Sequence, residues 1–127
     1  MSQVSSEILA KAVVSLVKVN LRKTKLTTKQ CTALFATNLG PTKLRDLDLS
    51  NVNLSGVDGD LLSMSITRLR DVDLTCTWLT KNQVARFVQQ VTKFTRLEYL
   101  KLQSATASLL TPEMKQNIQQ NMRILIF

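Results

Sequence analysis

The chain of 127 residues contains no histidine. Imidazole chemistry is thereby excluded, both as a general acid or base and as the middle member of a catalytic triad. Aromatic residues make up only 5% of the chain, with one tryptophan, so a row of stacking platforms for single-stranded nucleic acid is not evident. The three glycines, Gly40, Gly56 and Gly59, form no phosphate-cradling motif. Cys31 and Cys76 have neither metal-type spacing nor a CxxC arrangement. Two thiols do not make a disulfide framework, which points to a reducing, intracellular compartment, the cytoplasm or the nucleus. No uninterrupted apolar run approaches the ~18 residues of a membrane-spanning helix. The stretch Ile8–Val19 is apolar but is broken by Lys11 and Lys18, and no basic residue precedes it, so it does not read as a signal peptide.

Hydrophobic residues account for 44% of the chain and charged residues for 20%. That balance and length predict one globular domain over residues 1–127. The net charge of +8 is unevenly placed. Residues 1–43 hold seven Lys/Arg and one acid, residues 44–73 three and six, and residues 74–127 seven and two. An acidic middle thus lies between two basic ends. A basic total permits a nucleic-acid or acidic partner, but the acidic middle interrupts any continuous phosphate track.

The dominant feature is internal repetition. The segment L-R-D-L-D-L-S beginning at Leu44 returns as L-R-D-V-D-L-T at Leu69, with weaker echoes at Leu16 and Leu97. Registered on Leu16, Leu44, Leu69 and Leu97, with a partial fifth unit at 124–127 begun by Ile124, the apolar residues fall at fixed offsets. Three residues on are Val19, Leu47, Val72, Leu100 and Phe127; two further are Leu21, Leu49, Leu74 and Leu102; five beyond are Leu26, Leu54, Leu79 and Ala107. The offset of two predicts short strands at Lys18–Arg22, Asp46–Ser50, Asp71–Thr75, Tyr99–Gln103 and Ile124–Phe127. Between them, Thr27…Gln30 and Thr80…Gln83 have the form of capping boxes. Each is followed by an i, i+3, i+4, i+7 apolar stripe. Thr111-Pro112 marks another helix start. The glycine-bearing second unit predicts only a short or irregular turn of helix near Leu61–Ser65. Residues 1–15 supply a capping helix, begun at Ser5 or Ser6.

Strand, helix and parallel strand at a period of 25 to 28 residues predict an α/β fold, a βα solenoid. The pattern LxxLxLxxxxL over Leu16–Leu26, Leu44–Leu54 and Leu69–Leu79 resembles the leucine-rich repeats, and the spacing resembles their ribonuclease-inhibitor-like subclass. The resemblance implies a right-handed solenoid of about four repeats, with a short parallel sheet on one face and helices on the other. It also implies a binding rather than a catalytic role. One departure is consistent: the ninth position, usually Asn or Cys in that family, holds Thr24, Val52, Thr77 and Ala105. The family's asparagine ladder is absent.

Alternation directs positions three, five and seven of each unit outward. The candidate partner-binding face therefore centres on Asp46, Asp48, Asp71, Asp73, Tyr99 and Lys101, with Lys18 and Arg22 to one side. Aspartates placed opposite one another on adjacent strands are destabilising, which suggests a recognition patch for a basic protein segment. The alternatives are a surface neutralised by Lys18, Lys101, Arg45 and Arg70, or a divalent cation, which a flat open sheet holds poorly. A second column, Lys43, Arg68, Arg96 and Arg123, precedes the first residue of successive units. It would form a basic rim for a polyanion, or merely answer helix C-termini. No cofactor is called for, and Cys31 and Cys76 read as packing residues. The apolar end, Ile124–Phe127, predicts an unpaired strand edge. It would dock on a partner or a second copy, or continue into a longer protein.

Overall fold

The computed structural model describes residues 6–40, 42–120 and 122–126. The expectations placed on Ser5 and Phe127 lie outside the described residues. The chain alternates helix and strand: α1 (Ser6–Val14), β1 (Lys18–Asn20), α2 (Thr28–Thr37), β2 (Asp46–Asp48), α3 (Gly59–Ile66), β3 (Asp71–Asp73), α4 (Lys81–Lys93), β4 (Tyr99–Leu102), α5 (Ser104–Ala107), α6 (Pro112–Gln119) and β5 (Arg123–Ile126). The five strands form one all-parallel sheet in chain order, β1-β2-β3-β4-β5.

The inward side chains of the strands build the core with the helix stripes. Leu47, Val72 and Leu100 are buried in register on β2, β3 and β4, as are Leu49, Leu74 and Leu102 beside them. One continuous buried cluster runs from Leu9 of α1 to Met122 before β5. The α1 helix packs against α2 and buries Leu9, Ala10, Val13 and Val14.

The capping boxes at Thr27/Gln30 and Thr80/Gln83 are formed. Each threonine hydroxyl accepts from the glutamine N–H, and each glutamine side chain accepts from the threonine N–H. Both helices thereby satisfy two otherwise unpaired amides. Thr111 caps α6 in the same position, with Pro112 as the first helical residue.

The structure corrects several expectations. Strands β1 to β3 end after three residues, because the residue at position five turns the backbone. Asn20, Asp48 and Asp73 each accept the N–H two residues on, from Arg22, Ser50 and Thr75, an Asx turn. Position seven is therefore past the strand, and Ser50 is buried rather than outward. Position eight, Lys23, Asn51 and Cys76, adopts positive φ of 58°, 62° and 56°. Of the short or irregular turn of helix expected near Leu61–Ser65, the structure forms a short regular helix, the eight-residue α3, capped by the Asp58 carboxylate, which accepts from the Asp60 and Leu61 N–H groups. The glycine before it has a steric reason: a Cβ on Gly56 would approach the Thr28 hydroxyl to 2.9 Å.

Leu16, expected at a core position, is 54% exposed, whereas Leu44, Leu69 and Leu97 are buried. Among the described residues, no preceding strand or turn stands beside it to be packed against. The last strand is shifted by three residues from its expected register. Ile124 pairs with Leu100 and Arg123 with Tyr99, so Ile124 occupies position four, not position one.

Without the asparagine ladder, other groups tie neighbouring segments together. Thr24 and Thr77 hydroxyls donate within their own turns, to Leu21 and Leu74 carbonyls. The longer links come from helix residues. The buried Asn38 amide donates to the Ser65 carbonyl, and the buried Gln83 amide donates to the Leu54 and Val57 carbonyls at 2.7 Å each.

Candidate functional site

Strand pairing lays the outward side chains in two rows across the sheet. One row reads Lys18, Asp46, Asp71, Tyr99, Arg123; the other reads Asn20, Asp48, Asp73, Lys101, Leu125. The two pairs of opposed aspartates, Asp46 beside Asp71 and Asp48 beside Asp73, are brought together as their spacing required. Lys18 stands next to Asp46, Lys101 next to Asp73, and Tyr99 between Asp71 and Arg123. A shallow depression of ≈ 190 Å³ opens among Lys18, Asn20, the four aspartates and Lys101.

The four carboxylates are not equivalent. Asp46 is clasped by Arg70, whose Nε and Nη2 donate to its two oxygens at 3.2 and 2.9 Å. The hydrogen bond and charge of Asp46 raise the Arg70 pKa above its already high ordinary value. Asp48 and Asp73 each commit Oδ1 to a turn, accepting both the N–H and the hydroxyl of Ser50 and Thr75. Asp71 is half-buried beside them. The expected repulsion is thus partly absorbed by a neighbouring arginine and by local donors. Arg45 takes no part, since its guanidinium donates to the Thr42 and Leu44 carbonyls. Among the described residues, no three Asp, Glu or Cys side chains are placed to hold a metal ion.

Arg22 follows the end of β1 and lies on the turn rather than in either row. The basic rim is reorganised. Arg68 donates to the Gly40 carbonyl at 2.9 Å, just past the end of α2. Arg96 stacks over the Phe94 ring, 5.6 Å from its centre. Lys43 is exposed. Arg123 leaves the rim altogether, because the register of β5 moves it onto the sheet face. Besides Arg123, the sequence pattern did not place Leu125 or Arg70 as members of that face. Leu125, 42% exposed, follows from strand alternation only once the β5 register is known. Arg70 was legible only as a nearby charge. The β5 strand is an edge of the sheet among the described residues, with Ile126 also exposed.

Cys31 is fully buried, and loss of solvent pushes its thiol pKa up to about 11 from 9.0. The thiol is therefore neutral at physiological pH and inert as a nucleophile. Because the folded pKa exceeds the unfolded one, the folded state holds the proton more tightly between those values. This group's contribution to stability falls as pH rises from 9 toward 11. Only Cys76, half-exposed, is expected to react with a thiol reagent at pH 8 in the native protein, and both in denaturant. Two rapidly labelled thiols in the folded chain would contradict this burial.

No helix among the described residues is long and apolar enough to cross a membrane. Compared with protein-family models, curated proteins and solved structures, the chain matches none.

Proposed function

We propose that this chain is a right-handed βα solenoid of the leucine-rich-repeat kind, a non-enzymatic module that recognises a protein through its sheet face. The observation that carries this reading is the pair of five-residue rows. They present opposed carboxylates, flanking lysines and two exposed apolar side chains, Tyr99 and Leu125, on one rigid surface. A pre-organised sheet loses little conformational freedom on binding. Tyr99 and Leu125 supply anchor area, and the carboxylates supply charge complementarity to a basic segment of the partner. The acidic half of the face runs from β2 to β3, and the aromatic and basic half runs from β4 to β5. That polarity gives a partner one preferred orientation.

Charge reversal of the aspartates is a poor test, because lysines at 48 and 73 would also release two turns. The variant Asp46→Asn/Asp48→Asn/Asp71→Asn/Asp73→Asn removes the four charges and keeps an oxygen acceptor at each turn. It is expected to fold and to lose at least about tenfold in partner affinity. Native extract passed over immobilised wild-type protein, this variant and Tyr99→Ala, after nuclease treatment, provides the comparison. A protein retained only by the wild type supports the reading. Equal retention by all three would remove the sheet face from consideration.

A further inference from the structure

The turns that follow the strands form a surface separate from the two rows. Beyond the strand ends the backbone ladder continues: Lys23 N–H donates to the Ser50 carbonyl, Asn51 N–H to Thr75 and Leu54 N–H to Thr77, each at 3.0 Å. These bonds hold successive turns side by side. Lys25, Asn53 and Trp78 are the tenth residues of three units whose turns lie side by side, which sets Lys25 and Trp78 roughly two strand spacings, ~10 Å, apart, although Trp78 alone of the three has a positive φ.

Trp78 is the only tryptophan in the chain. It is 59% exposed and has a positive φ of 54°. A bulky aromatic in the left-handed region is an outlier, and its backbone strain needs a compensating reason. Burial does not supply one, because most of the ring is in solvent.

The cations on this surface are unneutralised. Lys23, Lys25 and Lys29 are exposed, and none of them joins an ion pair among the described residues. Lys29 lies in the first turn of α2 and Lys81 is the first residue of α4, and neither helix has an acid in its first turn. Stability alone would favour acids there, since the helix dipole already places positive charge at that end. The carboxylates around these turns are engaged: Asp48 accepts from Ser50, Asp58 caps α3, and Asp60 faces Arg86 at 3.8 Å.

We infer that this turn surface binds single-stranded nucleic acid, with a base stacked on Trp78 and the backbone phosphates running toward Lys23, Lys25 and Lys29. The indole selects the partner class. Its face is electron-rich, so an acidic peptide gains nothing from it, whereas every nucleobase has a π-face to stack. Asn53 accepts the Ser55 N–H and hydroxyl through Oδ1, leaving its NH₂ group to donate to a base edge. This surface shares no side chain with the two rows of the sheet face, so either reading can fail alone.

The sole tryptophan is its own reporter. Titration with a fluorescein-labelled oligouridylate, followed by anisotropy and by quenching of Trp78 emission, is set beside the same titrations with polyphosphate and poly-glutamate. Binding with quenching is expected for the oligonucleotide only. Trp78→Asn, which suits the positive φ, should lose about fivefold or more in affinity, and Trp78→Phe should retain most of it. The triple variant Lys23→Asn/Lys25→Gln/Lys29→Gln should lower the slope of log affinity against log salt by about two. An unquenched tryptophan, or polyphosphate or poly-glutamate binding as tightly as the oligonucleotide, would overturn the inference.

Discussion

Replacing Leu69 by Ala is expected to cost about 3–4 kcal/mol, whereas Leu16→Ala, at the same offset of its own unit, should cost less than about 1 kcal/mol. Leu69 has no exposed surface and sits in the continuous core between α3 and β3. Truncation there removes buried methyl groups and leaves a cavity that neighbours on both sides hold open, so the transfer and cavity terms add. Leu16 is more than half exposed, at the first edge of the sheet, and water already fills most of the space its side chain does not. For a domain of this size the Leu69 variant should melt about 10–15 °C below the wild type. Thermal and urea denaturation of both variants, with an unchanged urea slope, makes the comparison. Equal losses at the two positions would mean that the first unit is packed like the others.

The second large effect is expected at a polar residue. Gln83 is 97% buried, and its side chain makes three hydrogen bonds. Its oxygen accepts from the Thr80 N–H, closing the capping box of α4, and its NH₂ group donates to the carbonyls of Leu54 and Val57, 29 and 26 residues earlier. Gln83→Leu preserves the volume but leaves these backbone groups short of a partner, a loss of about 3 kcal/mol. Gln83→Glu is the sharper variant. A carboxylate there points negative charge at two carbonyl oxygens, so the variant should be at least as unstable at pH 7. Burial and those carbonyls favour its protonated form, raising its folded pKa, so part of the stability should return as pH is lowered. Denaturation midpoints at pH 7 and pH 4.5 test this. A midpoint for Gln83→Leu equal to the wild type would show that the links between segments contribute nothing net.

The leucine spacing and the capping boxes are local signals. An x-L-x-L alternation specifies which strand face is apolar, and a threonine with a glutamine three residues on satisfies the first amides of a helix wherever that helix packs. The approximate places of β1 to β4, of α2, α4 and α6, the parallel order and the opposition of Asp46 to Asp71 and Asp48 to Asp73 were therefore determined by the sequence itself, whereas the short α5 and the register of β5 were not. The tertiary structure decided whatever depends on a neighbour 24 to 29 residues away. Leu16 carries the repeat pattern, but burial requires an adjacent turn of chain, and among the described residues none stands on that side. Arg123 changes from rim to sheet face because the register of β5 is set by pairing with β4, which a weak fifth unit does not encode. The carboxylates look alike in the sequence. Only the fold gives one to Arg70 and two to their own turns, because hydrogen-bond geometry is decided by where the donors arrive. Gln83 reads as a helix cap, and its second role exists only once the turn from Leu54 to Val57 lies against α4.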